Sequence, residues 1–496
     1  MSGLEILTTA ESAAADRAAT EAGVESFALM RAAGEAVARA VRRRWTAGPV
    51  TVLCGPGLNG GDGYVAAAVL AAEGWPVRVY ALADPTAEDA RRARAQWTGA
   101  VAPLAGADLT GADLSGAAVV IDALFGAGLS RPLPAEALNA LKAAEASGAG
   151  LVAVDLPSGL SGDTGKPLGY APHARVTVTF HRRKPAHVLE PGRGLCGEVV
   201  VAPIGIPDRA TPKTTLYENR PGLWRDRLPW PGAQAHKHSR GLLGVVSGGP
   251  TSTGAARLAA RAGLRAGAGL VRVFCPPDAA MVLAPALEAV MLQPFDGDAA
   301  LAEAARDFDA VVIGPAAGVD AKTAANVLAL ARTKDLALVV DADALTVFRD
   351  SPQRLFDALG ADDVMTPHPG EFERLFPGLL KTSPERITAA REAARRAGAV
   401  VLLKGPDTVI AAPDGRAAVN LNGVPWLATA GSGDVLSGLI GGLRAQGMQG
   451  FDAACAAAWM HAEAARTFGA GLISEDLPEL LPQVLQILES SRNTVP

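Results

Sequence analysis

The sequence Thr429-Ala430-Gly431-Ser432-Gly433-Asp434-Val435-Leu436-Ser437-Gly438 is the most informative part of this chain. Two glycines flank a serine, an aspartate follows, and small and apolar residues suited to a helix come next. N–H groups at a helix start are unpaired and lie at the positive end of the helix dipole. Glycine also lets the backbone approach a phosphate closely, so we predict an anion-binding turn in which Asp434 deprotonates a hydroxyl that attacks the phosphate. The alternative is an N-capped helix after a flexible turn, and this segment alone leaves both interpretations open.

Length and composition indicate a folded protein of more than one domain. A chain of 496 residues is too long for one ordinary core. Hydrophobic residues at 49% and charged residues at 20% are typical of a folded chain rather than a disordered one. The net charge of −5 argues against a nucleic-acid partner and against a polybasic membrane-binding patch.

The cysteines and the apolar runs indicate the compartment. The cysteines are far apart in sequence and show no pairwise metal-ligand spacing, at Cys54, Cys196, Cys275 and Cys455. That pattern is typical of reduced, buried thiols in a cytosolic protein. We see no export signal at the N-terminus and no apolar run long enough to span a membrane. We therefore predict a soluble, cytoplasmic protein without a membrane partner.

The first half of the chain alternates strands and helices. Continuous apolar strands are predicted at 50–54, 77–82, 119–122, 151–155, 176–180 and 198–202, and helices within 12–45, 63–73 and 87–97. Apolar runs without alternation are typical of a parallel sheet covered by helices on both faces. This half is therefore predicted to be a doubly wound α/β domain.

A second alternation follows a stretch rich in proline. Strands are predicted at 243–247, 271–275, 310–313, 337–341, 363–366 and 400–404, with helices over 252–267 and 383–398 and from 432 onward. Because periodicity lapses before Pro231, we expect a linker over 213–231. The predicted domains are then 1–212 and 232–490, two different α/β domains in one chain.

Polar residues of the first half gather where strands end. Leu58-Asn59-Gly60-Gly61-Asp62-Gly63 lies between a strand and a helix, and Asp122, Asp155 and Ser158 follow later strands. Open α/β sheets bind ligands at this edge. Asn59, Asp122 and Ser158 offer oxygen ligands, which suit K⁺ better than zinc, although such aspartates can also merely cap helices.

The runs Gly55-Pro56-Gly57-Leu58-Asn59-Gly60-Gly61-Asp62-Gly63, Asp155-Leu156-Pro157-Ser158-Gly159 and Asp163-Thr164-Gly165 together resemble the NAD(P)H-hydrate epimerase domain. The resemblance implies a Rossmann-like three-layer αβα domain, an isomerase that interconverts the R and S hydrates. It implies K⁺ held by Asn59, Asp122 and Ser158, and acid–base work by Asp155. Implied substrate contacts are Leu58, Asn59, Gly60, Gly61, Asp62, Gly126, Ala127, Gly128, Leu129, Ser130, Arg131, Pro132 and Asp155. Leu58 stands where the family often has a second asparagine. Lys184 is either a phosphate contact or an ordinary surface lysine.

The second half carries its own polar segments. Gly248-Gly249-Pro250-Thr251-Ser252-Thr253-Gly254 leads from a strand into a helix, a position suited to phosphate. Asp341 and Asp343 end another strand. In Thr366-Pro367-His368-Pro369-Gly370-Glu371, two prolines restrict a histidine beside a carboxylate, and His368 is either a ligand contact or a structural hydrogen-bonding residue.

With Leu402-Leu403-Lys404-Gly405 and the 429–438 turn, these segments resemble the ADP-dependent NAD(P)H-hydrate dehydratase, a ribokinase-like α/β family. The resemblance implies a lyase in which Asp434 is catalytic, ADP is the co-substrate and Mg²⁺ bridges its phosphates. Implied hydrate contacts are Ala255, Gly318, His368 and Asp434. Implied nucleotide contacts are Lys404, Gly405, Pro406, Asp407, Thr408, Gly431, Ser432 and Gly433. Ala316 stands where the family usually has glycine.

Together, the two resemblances predict a bifunctional enzyme that repairs hydrated NADH and NADPH (NADHX and NADPHX). Two alternatives remain at this point: a ribokinase-like kinase of a vitamin precursor, and a first half that is only a ligand-binding module. Because related domains assemble, we also expect a homo-oligomer.

Overall fold

The computed structural model of the chain describes residues 3–105, 114 and 116–492. The chain divides between Thr214 and Thr215 into two compact units. Each unit is built around its own sheet. Within the described residues, no helix is both long enough and apolar enough to cross a membrane.

The first unit contains a parallel sheet of seven strands in the described part of the chain, in the order β3-β2-β1-β4-β5-β6-β7. The strands are β1 (Val50–Cys54), β2 (Val77–Ala81), β3 (Val101–Pro103), β4 (Val119–Ala123), β5 (Gly150–Val154), β6 (Val176–Phe180) and β7 (Glu198–Ala202). The helices are α1 (Thr9–Glu21), α2 (Ser26–Arg42), α3 (Leu58–Ala72), α4 (Glu88–Gln96), α5 (Ala135–Ala146) and α6 (Gly192–Cys196). The order of strands reverses between β1 and β4, which is where such sheets bind ligands.

Helices cover both faces of this sheet. Residues of α2, α3 and α4, such as Val41, Leu70 and Ala90, pack in one apolar cluster with β1 and β4. On the other face, α5 packs Leu141 against a second cluster that includes Leu53 and Val120. Residues of both central strands are buried throughout, as a parallel sheet between helices requires. The predicted three-layer αβα architecture is confirmed.

The glycine-rich segment after β1 corrects one expectation. We predicted a loop over 58–63, whereas α3 already begins at Leu58. A Cβ on Gly60 would lie 1.9 Å from the carbonyl oxygen of Gly55, and one on Gly63 would lie 2.6 Å from Ala123 Cβ. These glycines therefore serve the close packing of α3 against the strand ends, rather than the flexibility of a loop.

The second unit contains a sheet of ten strands among the described residues, in the order β11-β10-β9-β12-β13-β14-β15-β16-β17-β8. The strands are β8 (Leu216–Asn219), β9 (Leu242–Val246), β10 (Leu270–Cys275), β11 (Met291–Pro294), β12 (Ala310–Ile313), β13 (Ala337–Val340), β14 (Val364–Met365), β15 (Val400–Leu403), β16 (Val409–Ala411) and β17 (Ala417–Asn420). Strands β11 to β15 are parallel, and β16 pairs antiparallel with both β15 and β17.

Helices of the second unit follow the same alternation. They are α7 (Pro221–Trp224), α8 (Gly254–Arg265), α9 (Ala280–Leu283), α10 (Asp298–Ala305), α11 (Ala321–Ala331), α12 (Asp343–Thr346), α13 (Pro352–Phe356), α14 (Pro369–Leu375), α15 (Leu379–Thr382), α16 (Arg386–Ala397), α17 (Ser432–Ala445), α18 (Gly450–Phe468) and α19 (Asp476–Arg492). Helices α8 and α17 pack so closely that a Cβ on Gly438 would lie 2.1 Å from the Ala259 carbonyl oxygen, which requires glycine at this position. This contact fixes the helix that begins at the 429–438 turn.

The segment over 213–231, which we predicted to be a linker, is largely structured. Its residues form β8, which pairs in parallel with β17, and the short helix α7. Trp224 in that segment is buried and donates its indole N–H to Asn219 Oδ1 at 3.1 Å. Strand β8 and helix α7 lie between prolines and are too short to produce a periodic sequence pattern, so the sequence predicted a linker here.

Candidate active sites

The first unit holds a cavity of about 840 Å³ at the carboxyl ends of β1, β4 and β5. Helix α1 lines it opposite the sheet edge, through Ser12, Asp16 and Thr20 among others. Of the predicted substrate contacts, the structure brings together at this cavity Leu58, Asn59, Asp62, Gly126, Ala127, Gly128, Leu129, Ser130, Arg131 and Asp155. Gly60 and Gly61 are buried by packing, and Pro132 is not among the lining residues.

Asp155 lies at the centre of this site on a sharp turn. Its φ of +65° is unfavourable for a residue with a side chain, and the Leu156 N–H donates to the Val154 carbonyl oxygen at 2.8 Å, which closes a γ-turn. Such backbone strain costs on the order of 1–3 kcal/mol and must be held by the surrounding structure. His187 Nε2 donates to the Asp155 carbonyl oxygen at 2.8 Å, because the Lys184 N–H donates to His187 Nδ1 at 2.8 Å and fixes the tautomer.

The carboxylate of Asp155 is held by donors on three sides. Lys184 Nζ lies 2.6 Å from Oδ1, Thr179 Oγ1 donates to Oδ1 at 2.9 Å, and the Ala127 N–H donates to Oδ2 at 3.0 Å. Burial raises the pKa of Asp155, but the adjacent Lys184 ammonium outweighs it and lowers the pKa to about 2. Asp155 is therefore ionised near neutral pH and can accept a proton.

Lys184 is not the surface lysine that the sequence allowed. Its side chain is only 4% exposed, and it also donates to Thr179 Oγ1 at 3.0 Å. Sequence reasoning missed Thr179 and His187 altogether, as well as Asp16 on the wall of the cavity. No motif marks Thr179 or His187, because their contacts with Asp155 bridge separations of 24 and 32 residues. Asp16 lies on α1, far from the other site residues in sequence, and only the fold brings it to the cavity.

Asp122 and Ser158 form a buried cluster of oxygen atoms. Ser158 Oγ lies 2.6 Å from Asp122 Oδ1 and 3.0 Å from the Phe125 carbonyl oxygen, and the Ser158 N–H donates to Asp122 Oδ2 at 2.8 Å. Burial raises the pKa of Asp122 to about 6, against the hydrogen bonds from Ser158. Among the described residues, no lysine or arginine pairs with Asp122, so its buried charge has no compensating cation.

This cluster fits the predicted K⁺ site. The oxygens are of the carboxylate, hydroxyl and carbonyl types that hard cations take as ligands. Asn59 lines the adjacent cavity, and its Nδ2 is buried without a hydrogen-bond partner among the described residues. A Cβ on Gly126 would lie 3.0 Å from Asn59 Oδ1 and 3.1 Å from Asp155 Oδ2, so any side chain at 126 would crowd both the amide and the carboxylate.

In the second unit, the predicted anion-binding turn lies at the start of α17. Gly431 is the N-cap, with a φ of +86° that favours glycine, and Asp434 lies in the first turn of the helix. Ser432 Oγ donates to the Leu427 carbonyl oxygen at 2.8 Å, which ties the turn to the preceding segment. The N–H groups of a helix start and the helix dipole favour a negatively charged ligand such as a phosphate, and in this turn the Ser432 N–H makes only a long hydrogen bond, of 3.4 Å, to the Thr429 carbonyl oxygen.

A cluster of charged side chains lies beside the turn. Lys404 Nζ lies 2.9 Å from Asp341 Oδ1, and Ser437 Oγ of α17 donates to Asp341 Oδ2 at 2.5 Å. A Cβ on Gly433 would lie 3.5 Å from Lys404 Nζ, so the absence of a side chain there leaves room beside the ammonium. Glu371 Oε2 lies 4.0 Å from Lys404 Nζ and completes the cluster.

These charges set the protonation of Asp434. Burial and then the charge of Asp341 raise the pKa of Asp434, Lys404 opposes them, and together they bring the pKa to about 6. Burial lowers the pKa of Lys404, but Asp341 and Glu371 outweigh it and raise the pKa. A carboxylate poised near neutral pH beside a phosphate-binding turn has the properties of a general base. Asp341, Glu371 and Ser437 were not among the predicted site residues.

His368 has the structural hydrogen-bonding role that the sequence left open, and its role as a ligand contact stays a prediction. It caps α14, accepting from the Gly370 N–H at 3.0 Å, and its Nε2 lies 3.2 Å from Glu371 Oε1. Its side chain is nevertheless half exposed, so it remains available to a ligand. The Gly318 N–H donates to Asp343 Oδ2 at 2.9 Å, and Ala255 lies in the first turn of α8.

Ala316 is strained where it departs from the family pattern. Its φ is +53°, in the left-handed region that favours glycine. Its carbonyl oxygen lies 1.9 Å from the position of a Cβ on Gly248, so the two turns pack backbone against backbone.

The predicted nucleotide segment 404–408 is a compact turn. Thr408 Oγ1 accepts from the Gly405 N–H at 3.1 Å and donates to the Gly405 carbonyl oxygen at 2.8 Å. Arg386 supports it, with Nη2 donating to the Lys404 carbonyl oxygen at 3.0 Å and Nε lying 3.0 Å from Asp407 Oδ1. Because the Asp407 side chain is buried in this pair, it stabilises the turn rather than facing a ligand.

Another cavity, of about 970 Å³, lies at the opposite edge of the sheet, where strands begin, and is separate from this site.

Comparisons with known proteins identify the family of the chain. The family described as NAD(P)H-hydrate dehydratase matches residues 243–486, and the family described as YjeF-related protein N-terminus matches residues 26–186. A bifunctional NAD(P)H-hydrate repair enzyme of Moorella thermoacetica is 38% identical, covering 99% of this chain and 98% of the relative. The chain belongs to the bifunctional NAD(P)H-hydrate repair enzymes.

Other relatives extend the match. A repair enzyme of the same description from Mycobacterium tuberculosis is 37% identical, over 87% of this chain and 88% of that protein. A solved ribokinase-like superfamily protein from Enterococcus faecalis has a TM-score of 0.50 at 22% identity, covering 56% of this chain and 98% of that structure, which shows the fold of the second unit. The prediction of a bifunctional repair enzyme with a ribokinase-like second domain is confirmed. The alternative, a kinase of a vitamin precursor, is not supported.

Proposed function

We propose that the first unit interconverts the R and S hydrates of NADH and NADPH, and that the second unit dehydrates the S hydrate with ADP as co-substrate. The observation that carries the proposal is the position of Asp434, a half-buried carboxylate in the first turn of α17 beside Lys404. The turn supplies N–H groups for a phosphate, and the carboxylate supplies the base. The family to which the chain belongs supports hydrated nicotinamide nucleotides as the substrates.

The dehydration follows from this arrangement. Asp434 accepts the proton of the C6 hydroxyl as its oxygen attacks the terminal phosphorus of ADP, and the bond to AMP breaks. The N–H groups of residues 431–433 stabilise the charge that develops on the transferred phosphate. Phosphate then leaves C6 with electron density from the ring nitrogen, C5 loses a proton, and the C5=C6 double bond of the reduced nicotinamide is restored.

Neighbouring residues hold the nucleotide. Lys404 is positioned by Asp341 to face the phosphates, and the compact turn over 404–408 offers its backbone to AMP. We assign Ala255, Gly318 and His368 to the hydrate. When bound, Mg²⁺ would neutralise phosphate charge, as in phosphoryl transfer generally. Glu371, close to Lys404, is suited to hold it.

In the first unit, Asp155 accepts a proton from the oxygen that bonds to C6 of the hydrate, and Lys184 keeps Asp155 ionised. Epimerisation requires that the bonds at C6 open and close again, so proton transfers by positioned groups are needed. Asp122, Ser158 and Asn59 would hold K⁺, which would neutralise the buried charge of Asp122. We also place the protein in the cytoplasm, where the four buried free thiols would stay reduced. The homo-oligomer and the absence of nucleic-acid and membrane partners stay predictions.

The test is direct. Purified protein is incubated with mixed R and S hydrates and either ADP or ATP, and the absorbance of the reduced nicotinamide is followed. We expect complete recovery with ADP and release of AMP and phosphate. Accumulation of a stable phosphorylated product from ATP, without recovery of absorbance, would instead indicate a kinase.

A further inference from the structure

Asp62 is a carboxyl group of the first site that is both buried and, among the described residues, without a hydrogen-bonding partner. It lies on α3, lines the cavity together with Asp155, and the residue is only 8% exposed. Among the described residues, no donor forms a hydrogen bond or an ion pair with its carboxyl group. A buried, unpartnered carboxyl group that faces a ligand cavity is costly to ionise, so it points to a role in which it carries a proton.

Asp155 cannot supply that proton. Its Oδ1 takes the Lys184 ammonium and the Thr179 hydroxyl, and its Oδ2 takes the Ala127 N–H, so three donors hold it in the ionised form. Lys184 is committed to this contact, at 2.6 Å. The opening of a bond at C6 nevertheless requires an acid as well as a base.

The surrounding charges favour a proton on Asp62. Asp16 of α1 and Asp89 of α4 line the same cavity, as do the cations Arg17, Arg131 and Lys184. Burial, the charge of Asp155 and the charge of Asp16 all raise the pKa of Asp62 well above its usual value, and Lys184 opposes them. Lys184 is the paired cation of Asp155, so it offsets only part of this effect. When the surroundings of two carboxyl groups in one site push their pKa values apart, the group with the higher pKa usually acts as the acid and the other as the base.

We propose that Asp62 is the proton donor of the epimerisation, giving its proton to the C6 hydroxyl oxygen of the hydrate while Asp155 acts as the base. This inference rests on the proposed epimerase function of the first unit. The Asp62 O–H bond breaks as a bond to the C6 oxygen forms, and the C6–O bond breaks so that water leaves with its electron pair. The lone pair of the ring nitrogen forms an N1=C6 double bond, and Asp62 becomes a carboxylate.

The second half of the reaction reverses the first on the other face of C6. A water molecule attacks C6 as Asp155 accepts its proton, and the N1=C6 electron pair returns to the nitrogen. One water leaves and one enters, with no oxidant or reductant. A proton returned from Asp155 to Asp62 through solvent restores the starting state.

The decisive variant is Asp62→Asn, which keeps the size of the side chain but removes the acidic proton. We expect R-to-S interconversion to fall by roughly 10²- to 10⁴-fold. In the wild type, kcat/KM should decline at alkaline pH as Asp62 loses its proton. The residual activity of Asp62→Asn should not show this decline. Binding of the hydrate, measured by calorimetry, should be largely retained, which separates loss of chemistry from loss of the fold.

Two further variants sharpen the test. Asp16→Asn removes a charge that favours protonated Asp62, so the alkaline decline should move to lower pH. Asp89→Asn is the matched control, since Asp89 lines the same cavity but pairs with Arg92 at 3.7 Å, and it should leave the decline in place. If Asp62→Asn interconverts the epimers at the wild-type rate, Asp62 is not the donor. If the wild-type protein itself does not interconvert them, it is the epimerase function that fails.

Discussion

Lys404 Nζ lies 2.9 Å from Asp341 Oδ1 and thereby joins the ends of two strands, β15 and β13, beneath the anion-binding turn. Asp341 also accepts from Ser437 on α17, so one carboxylate fixes both the lysine and the helix. The two strand ends thus hold a cation, Lys404, and an anion, Asp341, next to Asp434. Both charges affect the pKa of Asp434.

The pH dependence of dehydration tests this relationship. Asp434 acts as a base only when ionised, and its pKa is raised to about 6, so the rate should fall as the pH drops through about 6. Asp341→Asn removes a charge that raises this pKa, which should shift the fall to lower pH. Ser437→Ala keeps both charges and serves as the control. An unchanged acidic limb in Asp341→Asn would count against the electrostatic coupling.

Removal of Lys184 should affect both stability and pH dependence in the first unit. Lys184→Met leaves the buried carboxylate of Asp155 without its cation, and breaking a buried pair costs about 3–5 kcal/mol. Burial then raises the pKa of Asp155, so epimerisation should be lost at acidic pH, where the wild type still works. Denaturant unfolding and a pH–rate profile measure the two effects. Lys166→Met, at an exposed position, is the matched control. Wild-type stability of Lys184→Met would refute the buried pair.

Ala316 offers a stabilising substitution. Its φ of +53° costs an L-residue roughly 1–2 kcal/mol. Ala316→Gly should therefore raise the free energy of unfolding by about 0.5–1 kcal/mol after the greater chain entropy of glycine is counted. Ala317→Gly, one residue on and without a positive φ, should destabilise by a similar amount. Denaturant titration of both variants distinguishes them by sign, and the same sign for both would argue against strain at 316.

Potassium should stabilise the first unit through Asp122. A cation that binds only the folded state at 100 times its Kd adds about 2.7 kcal/mol of stability. Replacing choline chloride with KCl at equal ionic strength should therefore raise the Tm. Asp122→Asn should abolish this response, because it removes the buried charge that K⁺ would neutralise. Equal responses of the variant and the wild type would place the cation elsewhere.

Local sequence patterns predicted the features that are themselves local. Buried strands appear as apolar runs, and their ends placed Asp122, Asp155 and Asp341 at the correct edges of the sheets. The glycine turn before Asp434 carries its own conformational demand, a positive φ at Gly431, and was predicted for that reason.

Features that depend on distant contacts could not be found in this way. Lys184 and Asp155 are 29 residues apart, and Lys404 and Asp341 are 63 apart, so no motif joins them. The glycines of α3 were mistaken for a loop because close packing and flexibility require the same residue type. Strand β8 escaped prediction because its partner β17 lies about 200 residues away along the chain.

The most direct test of the whole account is to measure dehydration of the S hydrate and nucleotide affinity together in Asp434→Asn. We predict that recovery of the reduced nicotinamide falls by about 10²- to 10⁴-fold, as expected for loss of a general base, while ADP still binds with nearly wild-type affinity. Dehydration by Asp434→Asn at the wild-type rate would contradict the account, because the base and the phosphate site would then lie elsewhere.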